Sequence, residues 1–148
     1  MPSTIALHRV FATTPEKLYR AFTEAEAMSK WIPPNGFTCS VERFEARVGG
    51  SYRMRFRNFT NGESHAFGGD FVEMIPGERL VYTDRFDDPN LPGEIRVTVT
   101  IRAVPVGAEL RIEQANVPDI IPESGCYASW QQSLANLARL VEPDLEQH

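Results

Sequence analysis

One segment constrains this chain more than any other. From Gly125 to Glu142, in GCYASWQQSLANLARLVE, apolar residues fall at Tyr127, Trp130, Leu134, Leu137 and Val141. That spacing draws one broad stripe along a helix. It is the longest helical pattern in the chain, and it comes after a long run of strands. SYRMRFRNF places Tyr52, Met54 and Phe56 on one face and Arg53, Arg55 and Arg57 on the other. EIRVTVTIRA points Ile95, Val97, Val99 and Ile101 one way, and AELRIEQA aligns Leu110 with Ile112. TCSVERF, HAFGGDFVEMI and ERLVYTDRF complete the set. Clean alternation means one wet face and one packed face. The short turns at Asn61-Gly62, Pro76-Gly77 and PVG make the sheet antiparallel. A packed face needs a cover. At 1.5 Å per residue, about 18 residues reach roughly 27 Å, enough to cross several strands about 4.8 Å apart. The last helix is therefore predicted to lie across the sheet.

The front of the chain supplies the rest. TIALHRVF, Thr4 to Phe11, reads as a first strand. In TTPEKLYRAFTEAEAMSKWIPP, Thr14 is a good N-cap and Pro15 suits the first helical position. Thr23 with Glu26 reads as a capping box that opens a second short helix toward Trp31. Pro33 and Pro34 end it. The expected order is β-α-α-β-β-β-β-β-β-α in one domain. A chain of 148 residues is long enough to bury roughly 70% of its unfolded surface.

Charge and cysteine usage narrow the setting. The formal net charge of −5 excludes a general nucleic-acid binder, which gains affinity by neutralising phosphates. No run approaches the roughly 18 apolar residues of a membrane span, and MPSTIALHRVFATTP has no export-signal pattern. Cys39 and Cys126 make no CxxC motif or zinc spacing, so two reduced thiols in a cytoplasmic setting are expected.

Candidate chemistry is sparse. His8, His65 and His148 form no metal-ligand spacing and read as surface or edge residues. Asp70 and Asp84 lie on adjacent predicted strands. With His65 or Arg85 they would supply proton transfer if they faced a common cavity; the plainer reading puts them on the solvated face. Cys126 lies near a helix N-terminus, where the dipole would lower its pKa, but no base accompanies it. Gly68-Gly69 within a strand marks a bulge or a close approach of helix to sheet. The arginine row reads as a solvated strand face. No motif calls for a cofactor or a metal.

Aromatic residues are the main remaining signal. A curved sheet gripping one helix leaves a concavity that the helix cannot fill, and such cavities are typical ligand sites. Trp31, Phe56, Phe67, Phe71, Tyr82, Tyr127, Trp130 and Leu134 are the predicted ligand-binding residues. Arg85, Gln114 and Asp70 are candidates for orienting a ligand if they point inward.

Four segments resemble one known family. PEKLYRAFTEAEAMSKWIPP resembles the early helix pair and Trp-x-x-Pro signature of the activator of heat-shock-protein-90 ATPase homologues. FEARVGGSYRMRF resembles that family's Gly-Gly approach to a strand, GGDFVEMIPGERLVYT its strand-turn-strand core, and SWQQSLANLARLVE its closing helix. The family usually has Gly before that tryptophan, where Ser129 stands here. The resemblance implies an α+β, START-like (SRPBCC) helix-grip fold: a curved antiparallel sheet of six to seven strands wrapped on a long C-terminal helix. Members of that superfamily bind lipids, hormones, polyketides or other apolar molecules, and some are cyclases or hydrolases. The eukaryotic namesakes stimulate a chaperone ATPase and carry an additional domain. No catalytic motif is shared, so no catalytic residue carries over.

Three functions follow as expectations. The first is a non-catalytic module for a small hydrophobic or amphipathic molecule. The second is a cyclase- or hydrolase-like enzyme using the same cavity. The third is a stress-response or chaperone-associated interaction domain, which predicts an exposed apolar patch near Met28 to Ile32. No oligomeric state is implied.

Overall fold

The computed structural model describes residues 3–91 and 93–145. His148 lies outside them. The chain runs β1 (Ser3–Phe11), α1 (Pro15–Thr23), α2 (Ala25–Trp31), β2 (Phe37–Phe44), β3 (Ser51–Asn58), β4 (Ser64–Ile75) and β5 (Arg79–Phe86). It continues through β6 (Ile95–Val104) and β7 (Gly107–Val117) to α3 (Glu123–Val141). The seven strands form one antiparallel sheet in the order β1-β7-β6-β5-β4-β3-β2. This is the expected helix-grip order.

The alternation sets the faces. Ile95, Val97, Val99 and Ile101 of β6 are buried, as are Leu110 and Ile112 of β7. The arginines of β3 stand on the opposite face, where Arg53 and Arg55 are ion-paired. Arg53 and Arg55 each lie 3.2 Å from Glu42, and Arg53 also pairs with Asp87. Register irregularities in β1, β2 and β4 break the ladder locally. Such bulges sharpen the twist of a sheet.

The helix signals hold in part. The Thr14 hydroxyl accepts from the Lys17 N–H at 3.2 Å, and Pro15 opens α1. The second capping box does not form. Thr23 still belongs to α1, and its hydroxyl donates back to the Tyr19 carbonyl at 3.2 Å. Glu24 is the N-cap of α2 without a side-chain capping bond; its carboxylate instead accepts from Arg20 Nε at 2.8 Å. A threonine one turn past a carbonyl satisfies that carbonyl more readily than it starts a new helix.

Gly68 and Gly69 mark a close approach, but of strand to strand rather than helix to sheet. A Cβ on Gly69 would lie 2.0 Å from the Thr83 carbonyl oxygen of β5, and one on Gly68 2.4 Å from that of Tyr52 on β3.

The 19 residues of α3 cross the packed face and divide into two halves. Leu134, Leu137, Ala138 and Val141 are buried in the core. Ties to the front of the chain fix this half. Ser133 Oγ donates to the Ile32 carbonyl at 2.7 Å, and the Asn35 N–H donates to Gln132 Oε1 at 3.0 Å. Beyond the helix, Glu142 accepts from the Ala12 N–H at 3.1 Å, and Lys17 donates to the Pro143 carbonyl at 2.9 Å. Trp31 is wholly buried; its indole N–H donates to the Ala21 carbonyl at 2.8 Å, and its ring packs edge-on to Phe22 at 4.8 Å. Together these contacts close one end of the layer pair.

Candidate functional site

The other end is open. A cavity of about 450 Å³ lies between the first turns of α3 and the inner faces of β3 to β7. Volumes of roughly 300–1,000 Å³ are usual for small-molecule sites. Its floor is mostly aromatic: Tyr52 and Phe56 from β3, Phe67 from β4, Tyr82 and Phe86 from β5. Met28, Ile32 and Phe37 bound one side, and Ile95, Val117 and Ile121 the other. The rings pack on one another rather than on α3. Phe56 meets Phe67 at 4.7 Å, and Tyr52 meets Tyr82 at 5.8 Å, both edge-on.

The roof explains the space. Gly125, Cys126, Ser129, Trp130 and Ser133 face the cavity from α3. Four of the five are small and follow helical spacing, so this stripe of the helix leaves room beneath it. Gly125, Ser129 and His65 are exposed and mark the mouth.

Four of the eight predicted ligand-binding residues line the cavity: Phe56, Phe67, Tyr82 and Trp130. Trp31, Phe71 and Leu134 are buried in the core. Phe71 packs between Phe44 at 5.6 Å and Tyr52 at 5.7 Å. Tyr127 turns toward the sheet edge, where its hydroxyl accepts from the Ala6 N–H at 3.3 Å. Large aromatics alone do not mark the lining. A cavity is instead found where large residues on the sheet face small ones on the helix. The spacing of Cys126, Ser129 and Ser133 carried that signal.

The polar candidates separate by strand parity. Leu80, Tyr82, Asp84 and Phe86 share the inner face of β5, so Asp84 lines the cavity rather than the solvated face. Asp70 stands on the outer face, where its N–H donates to Thr83 Oγ1 at 2.9 Å. Arg85 also points outward and pairs with Glu94 at 3.3 Å. Gln114 and His65 face the cavity. Asp84 Oδ1 is sealed from solvent and has no hydrogen-bond partner. The adjacent Tyr52 hydroxyl donates its one hydrogen to the Thr83 carbonyl at 2.7 Å. Burial raises the Asp84 pKa to about 7; the neighbouring Tyr52 hydroxyl offsets this only in part, because its hydrogen is directed at the Thr83 carbonyl.

Burial also lowers the His65 pKa, with help from the Arg55 charge. His65 and Asp84 are not neighbours. Gly69 occupies the β4 position across from Asp84, and His65 lies four residues further along that strand. That is about 13 Å at roughly 3.3 Å per residue. Two inward groups so far apart do not form an acid–base pair on one atom.

Both cysteines are free thiols. The expected lowering at Cys126 is reversed: burial, then the Glu123 charge, pushes its pKa up. A partly desolvated thiol beside a carboxylate outweighs the dipole of the helix end. Among the described residues, no group of three or more His, Cys, Asp or Glu is placed to hold a metal ion. Among them, too, no helix is long and apolar enough to cross a membrane.

Comparison with known proteins decides the family. A family model described as activator of Hsp90 ATPase homolog 1-like protein matches residues 12–142. The chain belongs to that family. Within this Hsp90 ATPase activator-like family, a mouse protein named activator of 90 kDa heat shock protein ATPase homolog 2 is 30% identical over 133 residues. The match covers 87% of this chain and 35% of the mouse protein, so the chain spans about a third of its relative's length. A solved structure from Chromobacterium violaceum is 54% identical, with a TM-score of 0.95 over 97% of this chain and all of that one. Another, from Rhodobacter sphaeroides, is 23% identical with a TM-score of 0.84 over 93% of this chain and 91% of that one, a likeness of fold.

Proposed function

We propose that the chain is a binding module for a small hydrophobic or amphipathic molecule held between α3 and the sheet. One observation carries this reading: the space under the N-terminal half of α3 is open to solvent and walled mainly by apolar side chains, while the space under its C-terminal half is filled. A volume of about 450 Å³ suits a small molecule rather than a few waters. Phe56, Phe67, Tyr82 and Trp130 are the proposed apolar contacts, joined by Tyr52 and Phe86.

The test is titration with N-phenyl-1-naphthylamine, a neutral fluorescent probe, followed by emission and by melting temperature. The expected result is saturable enhancement with a raised melting temperature. A ligand at about 100 times its Kd stabilises by about 2.7 kcal/mol. Neither enhancement nor a thermal shift, for this probe and for 4-phenylbutan-1-ol, would overturn the reading.

A second reading, a chaperone-associated domain, draws on the family and on the printed name of the mouse relative. The apolar patch expected near Met28 to Ile32 does not support it. Met28 and Trp31 are buried, and Ile32 faces the cavity. Adding the purified chain to a purified 90 kDa heat-shock ATPase tests this reading directly: stimulation supports it, and an unchanged rate rejects it.

A further inference from the structure

We propose that the Asp84 carboxyl is the polar anchor of the cavity and that the preferred ligands are amphiphilic amines, each an apolar body with a protonated amino head. This rests on the reading of the cavity as a ligand site.

The anchor is defined by what surrounds it. Asp84 lies on the cavity wall between Tyr82 and Phe86; the residue is part-buried and meets the cavity, while its Oδ1 is enclosed and without a donor. The groups that face this region come from every neighbouring element. Tyr52 of β3 has committed its hydrogen to Thr83. On β4, Gly69 offers no side chain, and Asp70 acts only as a distant charge felt by Tyr52. Tyr82 lies on the same strand, Ile95 on β6, and the uncharged Gln114 on β7. Cys126, Ser129 and Trp130 look down from α3, and His65 stands at the mouth. Among the described residues, no lysine or arginine lines the cavity. Arg85, next in sequence, is committed to Glu94 outside. A buried acceptor without a donor costs free energy that an incoming donor recovers.

The ligand's head group follows from charge. An alcohol would offer the carboxyl a donor and nothing more. A carboxylate would bring like charge into the same desolvated space. An ammonium supplies the donor and the missing counter-charge, and the rings of Tyr52, Phe67, Tyr82, Phe86 and Trp130 attract cations as well. Because burial holds the free carboxyl partly protonated near neutral pH, binding an ammonium displaces its proton. The neutral acid and the ammonium become a carboxylate–ammonium pair, and one proton passes to solvent.

Three matched probes test this: 4-phenylbutylamine, 4-phenylbutan-1-ol and 4-phenylbutyrate, titrated into the intact chain and into Asp84→Asn. The expected result is that the amine binds at least about tenfold tighter than the alcohol, and the carboxylate more weakly than both. In Asp84→Asn the alcohol keeps its affinity and the amine loses its advantage. Calorimetry of the unaltered chain near pH 6, in two buffers of different ionisation enthalpy, should show close to one proton released with the amine and none with the alcohol. That measurement decides the matter if the variant does not fold. Equal affinities for amine and alcohol, an amine advantage that survives in Asp84→Asn, or no proton release would overturn the anchor while leaving the cavity reading intact. If N-phenyl-1-naphthylamine and the alcohol also fail to bind, the cavity reading falls with it.

Discussion

The Ser133 hydroxyl donates to the Ile32 carbonyl at 2.7 Å, joining residues 101 positions apart. The bond is one point where α3 is tied to the turn that leaves α2, beside the cavity wall. Ser133 is only 3% exposed, so water cannot replace the lost donor freely. Ser133→Ala is expected to lower stability by about 1–2 kcal/mol, read as a lower urea midpoint with an unchanged slope. A variant as stable as the parent would show that the tie contributes nothing.

Trp31 is a structural residue, and its substitution should read out as stability. Trp31→Phe loses the indole bond to Ala21 and part of a fully buried volume. The expected cost is about 1–3 kcal/mol, short of the roughly 3–5 kcal/mol of truncation to alanine. Probe affinity, measured where the variant remains folded, should change little. A large loss of affinity with unchanged stability would place Trp31 at the site instead.

Ser129 offers the opposite test. It is exposed at the mouth and lines the cavity, so Ser129→Phe can project a ring into the opening without entering the core. Phenylalanine and serine have similar helix propensities. Stability should stay within about 0.5 kcal/mol, while N-phenyl-1-naphthylamine affinity falls by about tenfold or more. Undiminished binding would mean that the probe sits elsewhere.

Asp84 should leave a signature in the pH dependence of stability. Its pKa rises from 3.8 to about 7 on folding, so between those values the folded chain binds more protons than the unfolded one. Stability contributed at this position is therefore full below about pH 4, falls as pH rises toward 7, and is flat above that. Asp84→Asn removes the slope. Relative to the parent, the variant should gain on the order of a few kcal/mol between pH 4 and pH 8. Parallel pH profiles for the two proteins would show that the carboxyl is not held in its neutral form.

Much of this architecture was legible because strand parity and helical period report faces directly. Ile95 to Ile101, and Leu137 with Val141, fell where their alternation and spacing put them. Thr14 and Pro15 started a helix as their local chemistry requires. The cavity was harder to read, because empty space belongs to no single residue. It arises where small residues of α3 such as Ser129 and Gly125 share a lining with Tyr82 and Phe67, and only the folded register brings those positions together. Asp84 was readable in principle. Leu80, Tyr82 and Phe86 already marked its face, but its charge suggested solvent, and parity proved the stronger signal. Thr23 misled for a local reason: its hydroxyl had a nearer carbonyl to satisfy than the N–H it was expected to cap.

The division of α3 into an anchored half and a vaulted half has an evolutionary consequence. With the exception of Ser133, the residues that hold the helix in place, from Gln132 onward, are distinct from those that shape the space, from Gly125 to Trp130. Mutations in the first turns can therefore resize or retune the chamber without undermining its support. Duplicated copies of such a gene are free to diverge in the shape of the chamber while keeping one scaffold.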